Sequence, residues 1–253
     1  MKRHSRNLLL PVATLMFSLA IPAMAPAQTL KIALRQDADI LDPTLARTYV
    51  GRIVFAGLCD KLFDIDAKLN IVPQLATGYK WDDPTTLTIT LRQGVLFQNG
   101  EKMDANAVAA SLNRHRTMQG SFRRTELSPV KAVEVIDPHT VRLHLKSPYS
   151  PLLYQLTARS GMVMAPAAIA KEGKDFGLHP VCAGPFSFKE RAAQDHITLD
   201  RFPGYWNAKA IHFDHVTYVV LPDSSVRLAN LQSGTVDMAE QVVPTDVAAV
   251  KAD

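Results

Sequence analysis

A mixed α/β fold, α+β in its local order, is what this sequence predicts, on three observations. Strand-length segments with alternating apolar and polar residues sit in pairs around short turns. Segments with apolar residues at helical spacing separate those pairs. Strand–helix–strand pieces near the two ends frame a hairpin-rich middle, roughly Asp60 to Val181. The expected organisation is one α/β unit in two parts, 28–59 and 182–253, with 60–181 inserted between them and 1–27 set apart as a leader.

The leader starts with Lys2, Arg3 and Arg6 and continues as an apolar run from Leu8 to Ala20, interrupted by Thr14 and Ser18. Ala25-Pro26-Ala27 then offers small residues to a signal peptidase. A basic start, a short apolar core and a small-residue exit read as a secretory signal cut before Gln28, so the expected location is the periplasm. Ala23-Met24-Ala25 is a weaker site, and an uncleaved anchor is the competing reading. The leader holds three of the 28 Lys+Arg and none of the 24 Asp+Glu, so the rest of the chain falls from +4 to +1. With no Lys/Arg run interleaved with aromatics, nucleic acid is set aside as a partner.

Leu30 to Leu34 reads as the first strand, and Asp39-Ile40-Leu41-Asp42-Pro43 as a loop. Apolar residues at Val50, Ile53, Val54, Leu58 and Leu62 predict a helix over Val50 to Leu62. Leu69 to Pro73 reads as a connector. Tyr79 to Trp81 and Thr86 to Leu91 are strands around the turn-rich Asp82-Asp83-Pro84-Thr85. Asp104 can cap a helix from Ala105 to about Arg116. Val130 to Ile136 and Thr140 to Leu145 form a second hairpin. Short helices follow at Pro151 to Thr157 and Pro166 to Glu172, with Met162 to Met164 as a buried strand or turn between them. Gly184 to Arg191 and His196 to Phe202 form a third hairpin. His215 to Leu221 is an apolar strand, Asp223 caps a helix ending near Gly234, and Val236 to Ala239 is the final strand.

Two cysteines in an exported chain favour a disulfide, Cys59–Cys182, over two separate buried thiols. The motifs GxSxG, HExxH, GxGxxG and the P-loop are absent, so no enzyme and no catalytic residue is expected. His212-Phe213-Asp214-His215 could touch a metal by spacing, but it opens an apolar strand, and no metal or cofactor is expected there. Trp81, Tyr205 and Trp206 read as packing residues.

Taken in order, the blocks LDP, GLCDKLFD, PQLATGYKW, LTITLRQGVLFQNGEKMDANAVAASLNR, VEVIDPHTVRLHLKSPYSPLL, CAGPFSFKE, ITLDRFPGYWN and VRLANLQSGTVDMA resemble the family 5 solute-binding proteins of ABC importers, the dipeptide/oligopeptide type. The resemblance covers essentially all of 28–253. It implies a type II periplasmic-binding-protein-like lobe with an inserted hairpin-rich subdomain, the second lobe of the clamp lying outside this chain. It also implies a monomer that closes on a small solute, expected to be a peptide, and delivers it to membrane permease subunits driven by a separate ATPase. One lobe alone is expected to bind weakly. A chemoreceptor-linked or chaperone-like protein of the same fold is the alternative.

Three segments are the expected ligand contacts. Arg47, Thr48 and Tyr49 occupy the family's first strand-to-helix loop. Arg123 and Arg124, in Ser121-Phe122-Arg123-Arg124, offer the fork geometry that suits a carboxylate, though a solvated basic loop reads equally well. Arg159, Ser160 and Gly161 align with a family loop near the ligand, and Gly161 would let backbone approach a solute.

Overall fold

The computed structural model describes residues 28–252, so the leader predicted over 1–27 lies outside the described residues. Strand β1, Thr29–Leu34, becomes fully buried at Ala33 and Leu34, where it enters the core. Helix α1, Tyr49–Leu58, starts at Thr48, whose hydroxyl accepts from the Gly51 amide. It stops four residues before the predicted end. Cys59 turns extended (φ −133°, ψ 107°), and Leu62 is buried from outside the helix. Its spacing from Leu58 imitates a helical turn that the backbone does not make.

Phe63–Ile65 (β2) and Ile71–Pro73 (β3) pair as a small hairpin where only a connector was expected. Then come β4, Ala76–Asp83, β5, Thr86–Leu91, and α2, Ala105–Thr117. Asp104 caps α2 as predicted, accepting from the Ala107 amide at 2.9 Å. The next elements are β6, Val130–Asp137, β7, Thr140–Leu145, α3, Leu152–Gln155, a 3-10 turn at Arg159–Gly161, and α4, Pro166–Glu172. The chain continues with β8, Phe186–Ala192, β9, His196–Arg201, β10, His215–Val220, and α5, Ser224–Gln232, capped by Asp223. Strand β11 is only Met238–Ala239, shorter than predicted, and α6 is Val247–Ala252.

The strands form two main sheets and the β2–β3 pair. The five-stranded sheet has the order β11-β1-β10-β9-β8, with β1 parallel to both neighbours and antiparallel pairing from β10 outward. The carboxyl ends of β1, β10 and β11 therefore emerge at one edge, the edge where open α/β sheets bind ligands. The antiparallel sheet β4-β5-β7-β6 turns Leu87, Ile89 and Leu91 inward, as their alternation predicts. One apolar core runs behind both sheets.

Cys59 and Cys182 are joined, Cα atoms 4.9 Å apart, across a sequence separation of 123. Gln98 braces the same spot. Its amide oxygen accepts from the Cys182 amide at 2.8 Å, and its Nε2 donates to the carbonyls of Leu58 and Phe186, both at 2.7 Å.

Candidate functional site

The loop from β1 to α1 carries the candidate site, and two carboxylates shape it. Asp42 is fully buried. It receives both Nη groups of Arg114, at 2.8 and 2.7 Å, and the Thr44 amide at 2.8 Å. The Thr44 hydroxyl meets His115 Nδ1 at 2.9 Å, and His115 Nε2 meets the Met162 carbonyl at 3.1 Å. That carbonyl can only accept, so Nε2 carries the proton and Nδ1 accepts from Thr44. Burial pushes His115 down to about 4, which keeps this ring neutral. Asp39 accepts from the Arg47 amide at 2.7 Å and the Thr48 hydroxyl at 2.9 Å. Burial raises its carboxyl, but these bonds with the Arg47 and Thr48 groups outweigh that and hold it below the ordinary value.

The three predicted segments meet at this loop. Arg159, buried in the 3-10 turn, donates to the carbonyls of Thr48 at 2.9 Å and Arg47 at 3.3 Å. Arg123, also buried, donates to the Ala46 carbonyl at 3.3 Å and to Glu126 Oε1 at 2.5 Å. The other oxygen of Glu126 accepts from the Ser160 hydroxyl. The guanidiniums of Arg123 and Arg159 are thus directed at main-chain carbonyls of the loop, and the Nε of each is buried without a partner. A Cβ at Gly161 would lie 1.9 Å from the Leu156 carbonyl oxygen, so contact with its own chain already demands glycine there. Arg47 stays exposed, its guanidinium 4.8 Å over the ring of half-exposed Phe122, and Arg124 and Tyr49 also face solvent.

Charge is unbalanced here. Burial, then Arg123 and Arg52, push Arg159 down to about 10. Burial lowers Arg123 as well, with Glu126 opposing and Arg52 reinforcing that direction. Arg52, Arg123 and Arg159 thus share one region, with Arg47 beside them over Phe122, and the carboxylates acting on both buried arginines are Glu126 and Asp39. Such a cluster favours an anion.

A cavity of about 400 Å³ opens beside this loop, lined by Arg35, Tyr49, Glu240 and Gln241. It lies at the carboxyl ends of β1 and β11. Arg35 bonds the Gln241 side-chain oxygen at 2.6 Å, and its Nε lies 3.4 Å from Glu240. Sequence reasoning missed Arg35, Glu240 and Gln241. Arg35 had a signal, a charged residue directly after the first strand, whereas nothing local marks Glu240 and Gln241. A larger cavity of about 780 Å³ beside β8 shares no residue with these groups.

Tyr205 and Trp206 pack as predicted, but on a charge. Asp60 Oδ2 accepts from the Tyr205 hydroxyl at 2.9 Å and Trp206 Nε1 at 2.8 Å, and Oδ1 accepts from Gln74 Nε2 at 3.0 Å. Arg92 lies 3.8 Å over the Trp206 ring. Burial lifts Asp60 to about 6 despite these donors and nearby Lys61, with Asp64 adding slightly. Unfolded aspartate titrates near 3.9, so the folded state holds the extra proton between about pH 4 and 6. This group's contribution to stability therefore falls as pH rises through that window, then levels off. Subtracting the pH–stability curve of Asp60→Asn from that of wild type, by urea denaturation, should show that fall, on the order of 3 kcal/mol; a flat difference curve refutes it. His215 of the His212–His215 segment bonds Asp200 at 2.7 Å. Among the described residues no group of three or more His, Cys, Asp or Glu could hold a metal.

Residues 70–253 match the family described as bacterial extracellular solute-binding proteins, family 5 Middle. The chain belongs to that family. It is 35% identical over 222 residues to the glutathione-binding protein GsiB of Salmonella paratyphi A, covering 87% of this chain and 43% of that protein. GsiB of Escherichia coli O1:K1 / APEC is 32% identical, with 84% and 42% covered. Among solved structures, the binding protein AgaA in complex with agropinic acid, from A. tumefaciens R10, superposes with a TM-score of 0.84 at 30% identity, covering 89% and 46%. Burkholderia pseudomallei OppA, at 20% identity and a TM-score of 0.82, shares the fold, with 90% and 49% covered. This family-5 chain thus spans less than half the length of these relatives and adopts the mixed α/β architecture of their type II binding folds. No described helix is long and apolar enough to cross a membrane.

Proposed function

We propose that this chain forms the solute-facing part of a periplasmic capture protein for an acidic small solute of the peptide class, delivered to an ABC permease powered by a separate ATPase. The observation that carries the reading is the convergence of Arg52, Arg123 and Arg159 on the loop at the carboxyl end of β1, with Arg47 exposed on that loop and Glu126 and Asp39 as counter-charges. An incoming carboxylate would meet the exposed guanidinium of Arg47 there, with the buried charges of Arg123 and Arg159 adding to the field behind it. The similarity to proteins named for glutathione and agropinic acid, both carboxylate-bearing, supports the same reading.

In this reading 60–181 is an insertion into a core made of 28–59 and 182–253. The four-stranded sheet comes wholly from the inserted stretch and the five-stranded sheet wholly from outside it, and the disulfide joins the two points where the chain leaves and returns. Solute binding favours closure only as far as the closed form binds it better.

An NMR titration of residues 28–253 with reduced glutathione tests the reading. Shifts confined to the 35–49, 121–126, 159–161 and 240–241 segments, with weak affinity on the order of millimolar, are expected. Shifts elsewhere, or none with glutathione and a panel of acidic dipeptides, would count against it.

A further inference from the structure

Glu126 already occupies the kind of position a solute anion would take. One oxygen accepts from Arg123 and the other from Ser160, so it links two of the segments gathered at the loop. Its side chain is 26% exposed, and it is open to the solvent from which a solute arrives. Asp39, the other carboxylate acting on Arg123 and Arg159, is tied to the amide of Arg47 and the hydroxyl that caps α1, so it belongs to the loop's own framework. Glu126 has side-chain partners only, and Ser160 needs no anion: a neutral amide could take its place with the same reach.

We infer that Glu126 sets the charge preference of the solute site. It is a resident counter-anion that offsets one unit of the arginine cluster's charge, and so limits how strongly the site favours a more negative solute. The inference rests on the proposed solute reading and adds to it a specificity-determining residue that does not need to touch the solute. Removing one carboxylate charge roughly 9 Å from a solute charge, at an effective dielectric of about 40, changes affinity about fivefold per solute charge. The effect must shrink with added salt, because the site is partly open.

The experiment is a comparison of reduced glutathione, net −1 at neutral pH, with its monoethyl ester, net zero, by NMR titration on residues 28–253. Glu126→Gln should raise the preference for the free acid over the ester about fivefold relative to wild type, at unchanged fold, and much of that gain should vanish in half-molar salt. An unshifted ratio in folded Glu126→Gln overturns the inference, as does a shift that half-molar salt leaves intact, which would mark a purely structural role. Should Glu126→Gln fail to fold, Glu126→Ala reads the same ratio. Wild type that binds neither probe nor any acidic dipeptide overturns both this inference and the solute reading; binding with an unmoved ratio overturns this one alone.

Discussion

Asp42→Ala is expected to lower stability by about 3–5 kcal/mol at neutral pH, close to the whole margin of many domains. The cause is the charge left behind. Arg114 has a side chain 9% exposed, and its partner Asp42 is at 0%. With the carboxylate gone, both Nη groups keep their burial and lose their bidentate acceptor, and the Thr44 amide loses its bond as well. Replacing both partners should cost much less than the sum of the single changes, because no buried charge is then stranded. Urea denaturation of Asp42→Ala, Arg114→Met and Asp42→Leu/Arg114→Met on residues 28–253 checks this. A single-variant loss below about 1 kcal/mol, or strict additivity, would show that the pair is not the anchor it looks to be. Acid should weaken the same node. His115 sits near 4 when folded, below its unfolded value near 6.5, so its contribution is complete above pH 6.5 and is lost as pH falls toward 4.

The elements that local chemistry announces were legible in the sequence. Thr86–Leu91 alternates cleanly, and Asp104 and Asp223 cap the helices they precede. The β2–β3 hairpin was not, since three-residue strands have no room for a period and Leu69 adopts φ 64° at its tip, a conformation that leucine does not advertise. The run Val50 to Leu62 misled for a different reason. Leu58 and Leu62 are both buried, one from a helix and one from extended chain, and spacing alone cannot separate the two. The placing of β1 between β10 and β11 is a long-range pairing that no local pattern announces.

The candidate site was legible as a place more than as a set of roles. Three segments picked as ligand contacts do meet, but Arg123 and Arg159 reach carbonyls 77 and 111 residues away in sequence, bonds that no motif encodes. Glu126 and Arg52 went unnoticed because an acid in a basic loop and an arginine on a helix are ordinary in isolation. Their meaning is collective: only the fold shows that they share one field with Arg159.

Removing the disulfide should have the second large effect, about 4–5 kcal/mol in the chain-entropy model for so long a loop. Cys59→Ala/Cys182→Ala is the suitable variant, because serine would bury a hydroxyl at positions that are at most 1% exposed. The folded junction should survive the change. Gln98 still joins Leu58, Cys182 and Phe186 through its side chain, and its own amide donates to the Cys182 carbonyl at 3.0 Å. The loss should therefore lie in the freed unfolded chain. Guanidinium denaturation should show a lower midpoint with a steeper dependence on denaturant, as a larger unfolded ensemble exposes more surface. Gln98→Ala should then cost more in the cysteine-free background than in the bonded one, since the two devices hold a common point and neighbouring changes couple. Equal stability with and without the bond would mean that the closed loop is already restrained when unfolded; equal Gln98→Ala losses in both backgrounds would mean that amide and disulfide act independently.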